Sequence, residues 1–218
     1  MAKINIAIDG PSGGGKSTIA DIVADKLNYV HLDTGAMYRC VAYYVLKNEI
    51  DYSNEEVLEK ALSDLKISFQ NDHVYLNGED VTKEIRTNDI SMMASKTSAV
   101  PMVRQKLVDL QKEIAKSKGY ILDGRDICTV VLPDAEVKIF MNADAKARAQ
   151  RRYDEYINKG IDADYETIYQ DIIARDYQDS HRKISPLKKA DDAIEIDTSH
   201  LTIDEVVDAV LNIINKEI

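Results

Sequence analysis

Gly10-Pro11-Ser12-Gly13-Gly14-Gly15-Lys16-Ser17, followed by Thr18, has the spacing G-x-x-x-x-G-K-[ST]. Glycines so placed let the backbone curl until successive N–H groups converge on phosphate oxygens. A helix starting directly behind the loop adds its positive N-terminal end. Lys16 then reaches the β- and γ-phosphates of a nucleoside triphosphate, and the Ser17 hydroxyl is suited to ligate Mg²⁺. A second set of residues is basic: Arg39, Arg104, Arg125, Arg148, Arg151, Arg152, Arg175 and Arg182. Guanidinium forks shield polyanions, and phosphoryl transfer onto another phosphate brings two polyanions together. A phosphate acceptor has a second pKa near 6, is largely ionised at pH 7, and needs no general base. The lack of an obvious catalytic histidine agrees with that chemistry.

The elements that must hold these residues follow from periodicity. Residues 4–8 read as a buried strand before the loop, and 16–27 as a helix after it. A strand over 29–33 ends at Asp33-Thr34-Gly35, and a helix is expected from near Ala36. Ser53 with Glu56 reads as a capping box for a short helix to about residue 63. The period then changes to alternation over 64–84, with turns expected at Asn71-Asp72 and Asn77-Gly78, which predicts a small three-stranded antiparallel insert. Helical spacing returns over 88–96 and 101–118, where Val103, Leu107, Leu110 and Ile114 share a face and Gly119 ends the run. Short apolar strands at 120–122, 137–140 and 193–196 alternate with helices near 144–159 and 164–181. A last helix, 203–215, is capped by Thr202 and Glu205. Five strands with helical crossovers predict an α/β fold with a doubly wound parallel sheet whose ligand lies at the carboxyl ends of its strands. Asp33, Asp123, Arg125 and Asp126 fall at those ends.

Composition narrows the partners. The 218 residues suit one core with a small appendage. With no Trp and only two Phe, the core must be built mainly from aliphatic side chains. Acidic residues outnumber basic ones, 38 to 28, which disfavours nucleic acid and anionic membranes as partners. The longest apolar run, Cys40 to Leu46, is too short to cross a bilayer, and no signal peptide precedes the first strand. Cys40 and Cys128 lack a spacing motif and suggest reduced thiols in a cytoplasmic protein. His31, His73, His181 and His200 form no ligand-spaced pair.

A phosphate loop alone does not separate a switch, a motor and a small-molecule kinase. A guanine switch should carry N-K-x-D, and neither Asn158-Lys159-Gly160-Ile161 nor Asn215-Lys216-Glu217-Ile218 supplies the Asp. A kinase acting on another monophosphate or on a hydroxylated metabolite stays open at this point, as does a nucleotide-binding module without turnover.

More specific than the loop are Leu32-Asp33-Thr34-Gly35-Ala36-Met37-Tyr38-Arg39 and Asp123-Gly124-Arg125-Asp126-Ile127. Thr129 to Ala135, Arg148-Ala149-Gln150-Arg151-Arg152, and Arg175-Asp176 before Ser185-Pro186-Leu187 extend the pattern. Over roughly residues 3 to 216 the chain resembles the bacterial cytidylate kinases, the CMP- and dCMP-specific branch of the nucleoside monophosphate kinases. The resemblance implies ATP-dependent conversion of CMP and dCMP to CDP and dCDP in pyrimidine nucleotide metabolism, with Mg²⁺, by a cytoplasmic monomer. It divides the chain into a core (1–35, 85–145, 183–218), a monophosphate-binding insert (about 36–84) and a short helical lid (about 146–165).

Roles carried over from the family are specific to position. Residues 10–18 would bind ATP, with Arg148, Arg151 and Arg152 closing over its phosphates as the lid. Ser95, Arg104 and Asp126 would read cytosine, a carboxylate accepting from the exocyclic amine and an arginine donating to the ring acceptors. Arg39, Arg125 and Arg182 would clamp the acceptor phosphate, acting with Lys16 as the catalytic set. Arg175 and Asp179 would contact the sugar, with Thr34 at the mouth of the pocket. Asp33 and Asp123 would hold Mg²⁺ through water, beside Ser17. Where the family usually has Gly after Asp-Ile, this chain has Cys128; a positive φ there would strain a side chain.

Overall fold

A computed structural model describes residues 3–70 and 73–217. The chain opens with β1 (Ile6–Asp9), every residue of it buried, then the glycine loop and α1 (Lys16–Leu27). β2 (Val30–Asp33) runs directly into α2 (Thr34–Lys47), so this helix starts two residues earlier than the sequence suggests. Gly35 is no obstacle there, because its cost applies to helix interiors. α3 (Glu55–Ser63) is capped by Asn54, whose Oδ1 accepts from the Val57 N–H at 3.2 Å. Ser53 is not the cap: its N–H and hydroxyl both donate to Asp51 Oδ1, at 3.0 and 2.6 Å. Ser and Asn cap about equally well, and Ser53 is already engaged upstream.

Three short strands follow, β3 (Ile67–Gln70), β4 (His73–Leu76) and β5 (Glu79–Asp80). Asn77 and Gly78 between the last two both have positive φ, 52° and 86°, as a two-residue hairpin turn of this twist requires. The expected turn at Asn71-Asp72 lies outside the described residues. After α4 (Asn88–Thr97), α5 (Pro101–Ala115) stops three residues short of the expected end, and Lys118 and Gly119 carry the left-handed dihedrals that turn the chain. β6 (Tyr120–Gly124), β7 (Val137–Asn142), α6 (Ala145–Asn158), α7 (Tyr165–His181), β8 (Ile194–Asp197) and α8 (Ile203–Glu217) complete the chain. At the head of α8 the Thr202 N–H donates to Glu205 Oε2 at 2.8 Å and the Glu205 N–H to Thr202 Oγ1 at 3.3 Å, the reciprocal capping box.

These elements form two compact units, residues 1–33 with 114–218, and residues 34–113. The first holds a five-stranded, all-parallel sheet in the order β2-β6-β1-β7-β8. The chain leaves central β1 to build one side of the sheet and later returns to build the other, which puts the glycine loop at the switch point where α/β folds bind ligands. Its core is aliphatic: Ile6, Ile8, Ile121, Ile139 and Met141 of the sheet meet Ile19 and Val23 of α1 and Val206, Val210 and Ile214 of α8. The second unit carries the antiparallel sheet β3-β4-β5, with Ile67 opposite Leu76 and Phe69 opposite Val74, and α2 packed on α4. Residues 36–84 lie within this unit, together with α4 and most of α5.

Candidate active site

The loop between β1 and α1 is held from behind by close packing and in front by arginines. A Cβ at Gly10 would lie 2.0 Å from the Met141 carbonyl oxygen, so no larger residue fits between β1 and β7. α1 follows Gly15 with no side-chain cap, leaving its first-turn N–H groups to an anion. Lys16 is buried, with Nζ donating to the Pro11 carbonyl at 2.7 Å. Burial, and then the Arg125 guanidinium, lower its pKa from the ordinary 10.5 to about 7 against the pull of Asp123 and Asp9. Phosphate oxygens arriving at the loop would supply the charge this ammonium lacks.

Arg148, only 3% exposed, knits the loop to two helices. Its Nε donates to the Ala143 carbonyl at 2.8 Å, Nη1 to the Ser12 carbonyl at 3.0 Å, and the fork closes on the Asp176 carboxylate at 3.0 and 2.5 Å. Arg152 reaches the same loop through Ser12 Oγ at 3.3 Å. Arg151 turns aside and donates to the Thr198 hydroxyl at 3.3 Å and to the Thr198 carbonyl. Of the three arginines on α6, two therefore address the loop and one addresses the end of β8.

The hydroxyl end of the loop meets carboxylates. Ser17 Oγ donates to Asp123 Oδ2 at 2.9 Å, and Asp33 sits beside Asp123 in the β2–β6 register. The other oxygen of Asp123 accepts from His31 Nε2 at 2.8 Å, and His31 Nδ1 faces Asp21 Oδ1 at 2.5 Å. Burial works against charge on His31, but its hydrogen bonds to Asp123 and Asp21 raise its pKa to about 10. A hydroxyl flanked by carboxylates is a hard oxygen set of the kind Mg²⁺ takes, one or two protein groups with phosphates and water making up the rest. Among the described residues no group of three or more His, Cys, Asp or Glu would hold a metal unaided. The donors fit an ion that arrives with its nucleotide.

Charged side chains on the turn after β6, on α7 and just beyond its end form a further cluster. Arg125 Nε donates to Asp179 Oδ2 at 3.0 Å, and Arg175 pairs with the same oxygen at 3.8 Å. Arg182 pairs with Asp126 Oδ1 at 3.8 Å and donates through Nε to the Ser185 carbonyl at 2.6 Å. Burial opposes ionisation of Asp179, yet Arg125, Arg175 and Arg182 hold its pKa below the usual value. The five residues assigned from sequence to the acceptor nucleotide within this unit are thus brought together.

What anchors this cluster escaped the sequence reading. Asp9, fully buried at the end of β1, accepts from the Ile127 N–H at 2.9 Å and the Cys128 N–H at 2.8 Å. A carboxylate directly after an apolar strand and before the glycines was the available signal. Burial raises its pKa from 3.8 to about 6, against those two amide bonds. The folded value exceeds the unfolded one, so Asp9 favours the folded state fully below pH 3.8, and the gain is lost as pH rises through 6. The unfolding free energy of the wild type minus that of Asp9→Asn should grow by about 1 kcal/mol between pH 7.5 and 5. Equal differences at both pH values, measured by urea titration, would remove Asp9 from this role. Cys128 does not strain the turn, since it is not among the residues of positive φ. Its buried Sγ lies 3.6 Å from the Ala7 carbonyl oxygen, and burial pushes the thiol pKa up, which argues against redox chemistry.

In the second unit, Thr34 opens α2, Arg39 lies five residues further along it, Ser95 is on α4 and Arg104 on α5. Thr34, Ser95 and Arg104 are buried. The Arg104 guanidinium lies over the Tyr38 ring, 5.4 Å from its centroid, and donates to the Ser98 carbonyl at 3.2 Å. Ser98 Oγ donates in turn to the Ser95 carbonyl at 2.8 Å.

Strand order and loop placement define a doubly wound α/β fold with a phosphate-binding loop at its switch point. The family model for cytidylate kinase matches residues 6–216. The sequence is 53% identical to the cytidylate kinase of Ligilactobacillus salivarius, over 99% of this chain and 98% of that one. It is 48% identical to those of Fusobacterium nucleatum (100% and 98% covered) and Bacillus cereus (98% and 96%). The chain belongs to the cytidylate kinase family. Among solved structures, a shikimate kinase from Bacteroides thetaiotaomicron matches with a TM-score of 0.52 at 13% identity, covering 98% of this chain and 99% of that one. An uncharacterised protein from Eubacterium ventriosum gives 0.53 at 15%, with the same coverage. At such identities the likeness is one of fold alone.

Proposed function

We propose that this protein transfers the γ-phosphoryl group of ATP to CMP and dCMP, giving CDP and dCDP, by in-line displacement. The observation that carries the reading is the pairing of a P-loop with the cluster of Arg125, Asp126, Arg175, Asp179 and Arg182, in a chain about half identical throughout to cytidylate kinases. Lys16 and the loop amides stabilise charge on the transferring group, and Arg148, Arg151 and Arg152 shield the triphosphate from water. Arg39, Arg125 and Arg182 hold the acceptor phosphate in line; its ionised oxygen attacks without a base. Asp126 accepts from the cytosine amine, Ser95 and Arg104 serve its remaining edge, Arg175 and Asp179 contact the sugar, and Thr34 offers its hydroxyl to the acceptor nucleotide. Ser17 would ligate Mg²⁺, with Asp33 and Asp123 holding its waters; when bound, the ion neutralises charge on the β- and γ-phosphates. The enzyme acts as a cytoplasmic monomer in pyrimidine nucleotide metabolism. No described helix is long and apolar enough to cross a membrane.

A coupled ADP-release assay with Mg-ATP against CMP, dCMP, UMP, AMP, GMP and no acceptor tests the reading. Fast turnover confined to CMP and dCMP is expected. Turnover centred on another acceptor would overturn the base assignment. ATP binding with no transfer to any acceptor would favour a regulatory module instead.

A further inference from the structure

We infer that His31 is a positioning residue for the metal end of the nucleotide site, holding the Asp123 carboxylate in the orientation that meets Ser17. The inference rests on the assignment of Ser17 and Asp123 to Mg²⁺ proposed above. Its basis is a chain of contacts that begins and ends on one helix. Ser17 Oγ donates to Asp123 Oδ2 at 2.9 Å, Asp123 Oδ1 meets His31 Nε2 at 2.8 Å, and His31 Nδ1 meets Asp21 Oδ1 at 2.5 Å. Ser17 and Asp21 are four residues apart on α1, one turn, while His31 is on β2 and Asp123 on β6. His31 lies two residues before Asp33 on the same face of its strand, in the row that leads to the carboxyl end of the sheet.

The chemistry favours positioning over simple packing. Asp123 has each oxygen committed to a different element, so the carboxylate cannot turn without breaking a bond at both ends. The His31 side chain and that of Asp123 are 9% and 5% exposed, so water is poorly placed to replace the imidazole. Groups that orient a carboxylate beside a metal commonly govern metal affinity 10- to 100-fold without touching the ion. Asp21, 63% exposed, fixes the far side of the ring and so its orientation.

ADP binding measured by calorimetry in excess Mg²⁺ and in EDTA tests the inference, on wild type, His31→Leu, His31→Gln and Asp123→Asn. His31→Leu should bind ADP in EDTA within about twofold of wild type, and lose about tenfold of the affinity gained from Mg²⁺. Its kcat with Mg-ATP should fall in parallel, with KM for CMP unchanged. His31→Gln, which keeps an amide donor for Asp123, should recover part of the Mg²⁺ gain. If His31→Leu keeps the full gain while Asp123→Asn loses it, the inference fails and the metal assignment stands. If Asp123→Asn also keeps the gain, the metal assignment fails and carries the inference with it. Equal losses in EDTA and in Mg²⁺ for both His31 variants would mean a purely structural tie and would also overturn it.

Discussion

Lys16→Met should lower kcat about 10³-fold while leaving the melting temperature unchanged or higher. Nζ of Lys16 is buried against the Pro11 carbonyl, and its burial holds the pKa down at about 7. An ammonium so desolvated costs the folded state; its removal relieves that cost, and Met fills nearly the same volume. The same desolvation makes the ammonium effective toward a charged ligand, since a fixed donor in a dry site meets developing charge without solvent reorganisation. Losing one such donor costs on the order of 10²- to 10³-fold, and bound phosphate would hold Lys16 in its charged form as well. Single-turnover kinetics beside thermal melts separate the two effects. A variant with normal turnover would remove Lys16 from catalysis, and one that loses activity only in step with stability would make it structural.

Asp126→Asn should cut the preference for CMP over UMP by roughly 10- to 100-fold, with a much smaller effect on phosphate affinity. Asp126 is buried at the turn after β6, and its main-chain carbonyl accepts from the Val130 and Val131 N–H groups. Those backbone bonds survive the substitution, so the turn should persist. The carboxylate only accepts, which suits the cytosine amine and opposes the uracil carbonyl; an amide can present either partner. Ratios of kcat/KM for the two monophosphates, with inorganic phosphate as a competing ligand, read base and phosphate recognition separately. An unchanged ratio would sink the role of Asp126 in base selection.

The features legible from sequence are those encoded over a few residues. The G-x-x-x-x-G-K-[ST] spacing, the Asn77-Gly78 turn and the Thr202–Glu205 box each need only local chemistry, and the structure has the turn and box in that form. The parallel strands were equally legible, because apolar runs separated by helical spacing have few other uses. Cap positions were less so: Ser53 and Asn54 are chemically equivalent as caps, and only the prior engagement of Ser53 with Asp51 decides between them. Long-range partners were not legible at all. Arg148 was assigned to ATP phosphates by resemblance, whereas its contacts to Ser12 and Asp176 span 136 and 28 residues and are set by how β1, α6 and α7 meet. His31 gave no sign, since a lone histidine on a strand is more often a satisfied interior group than a support for another side chain.

Asp9 gives the P-loop and the Asp123-Gly124-Arg125-Asp126 turn a common datum. It is the last residue before the loop, and its two oxygens hold the amides directly behind Asp126. The two amide bonds couple the end of β1, and with it the phosphate cradle, to the turn bearing Arg125 and Asp126, and so oppose any change in the gap between them. In a transfer whose rate falls steeply with misplacement of about 1 Å, this gap is the dimension that must be kept constant, and a single buried carboxylate acts as its gauge.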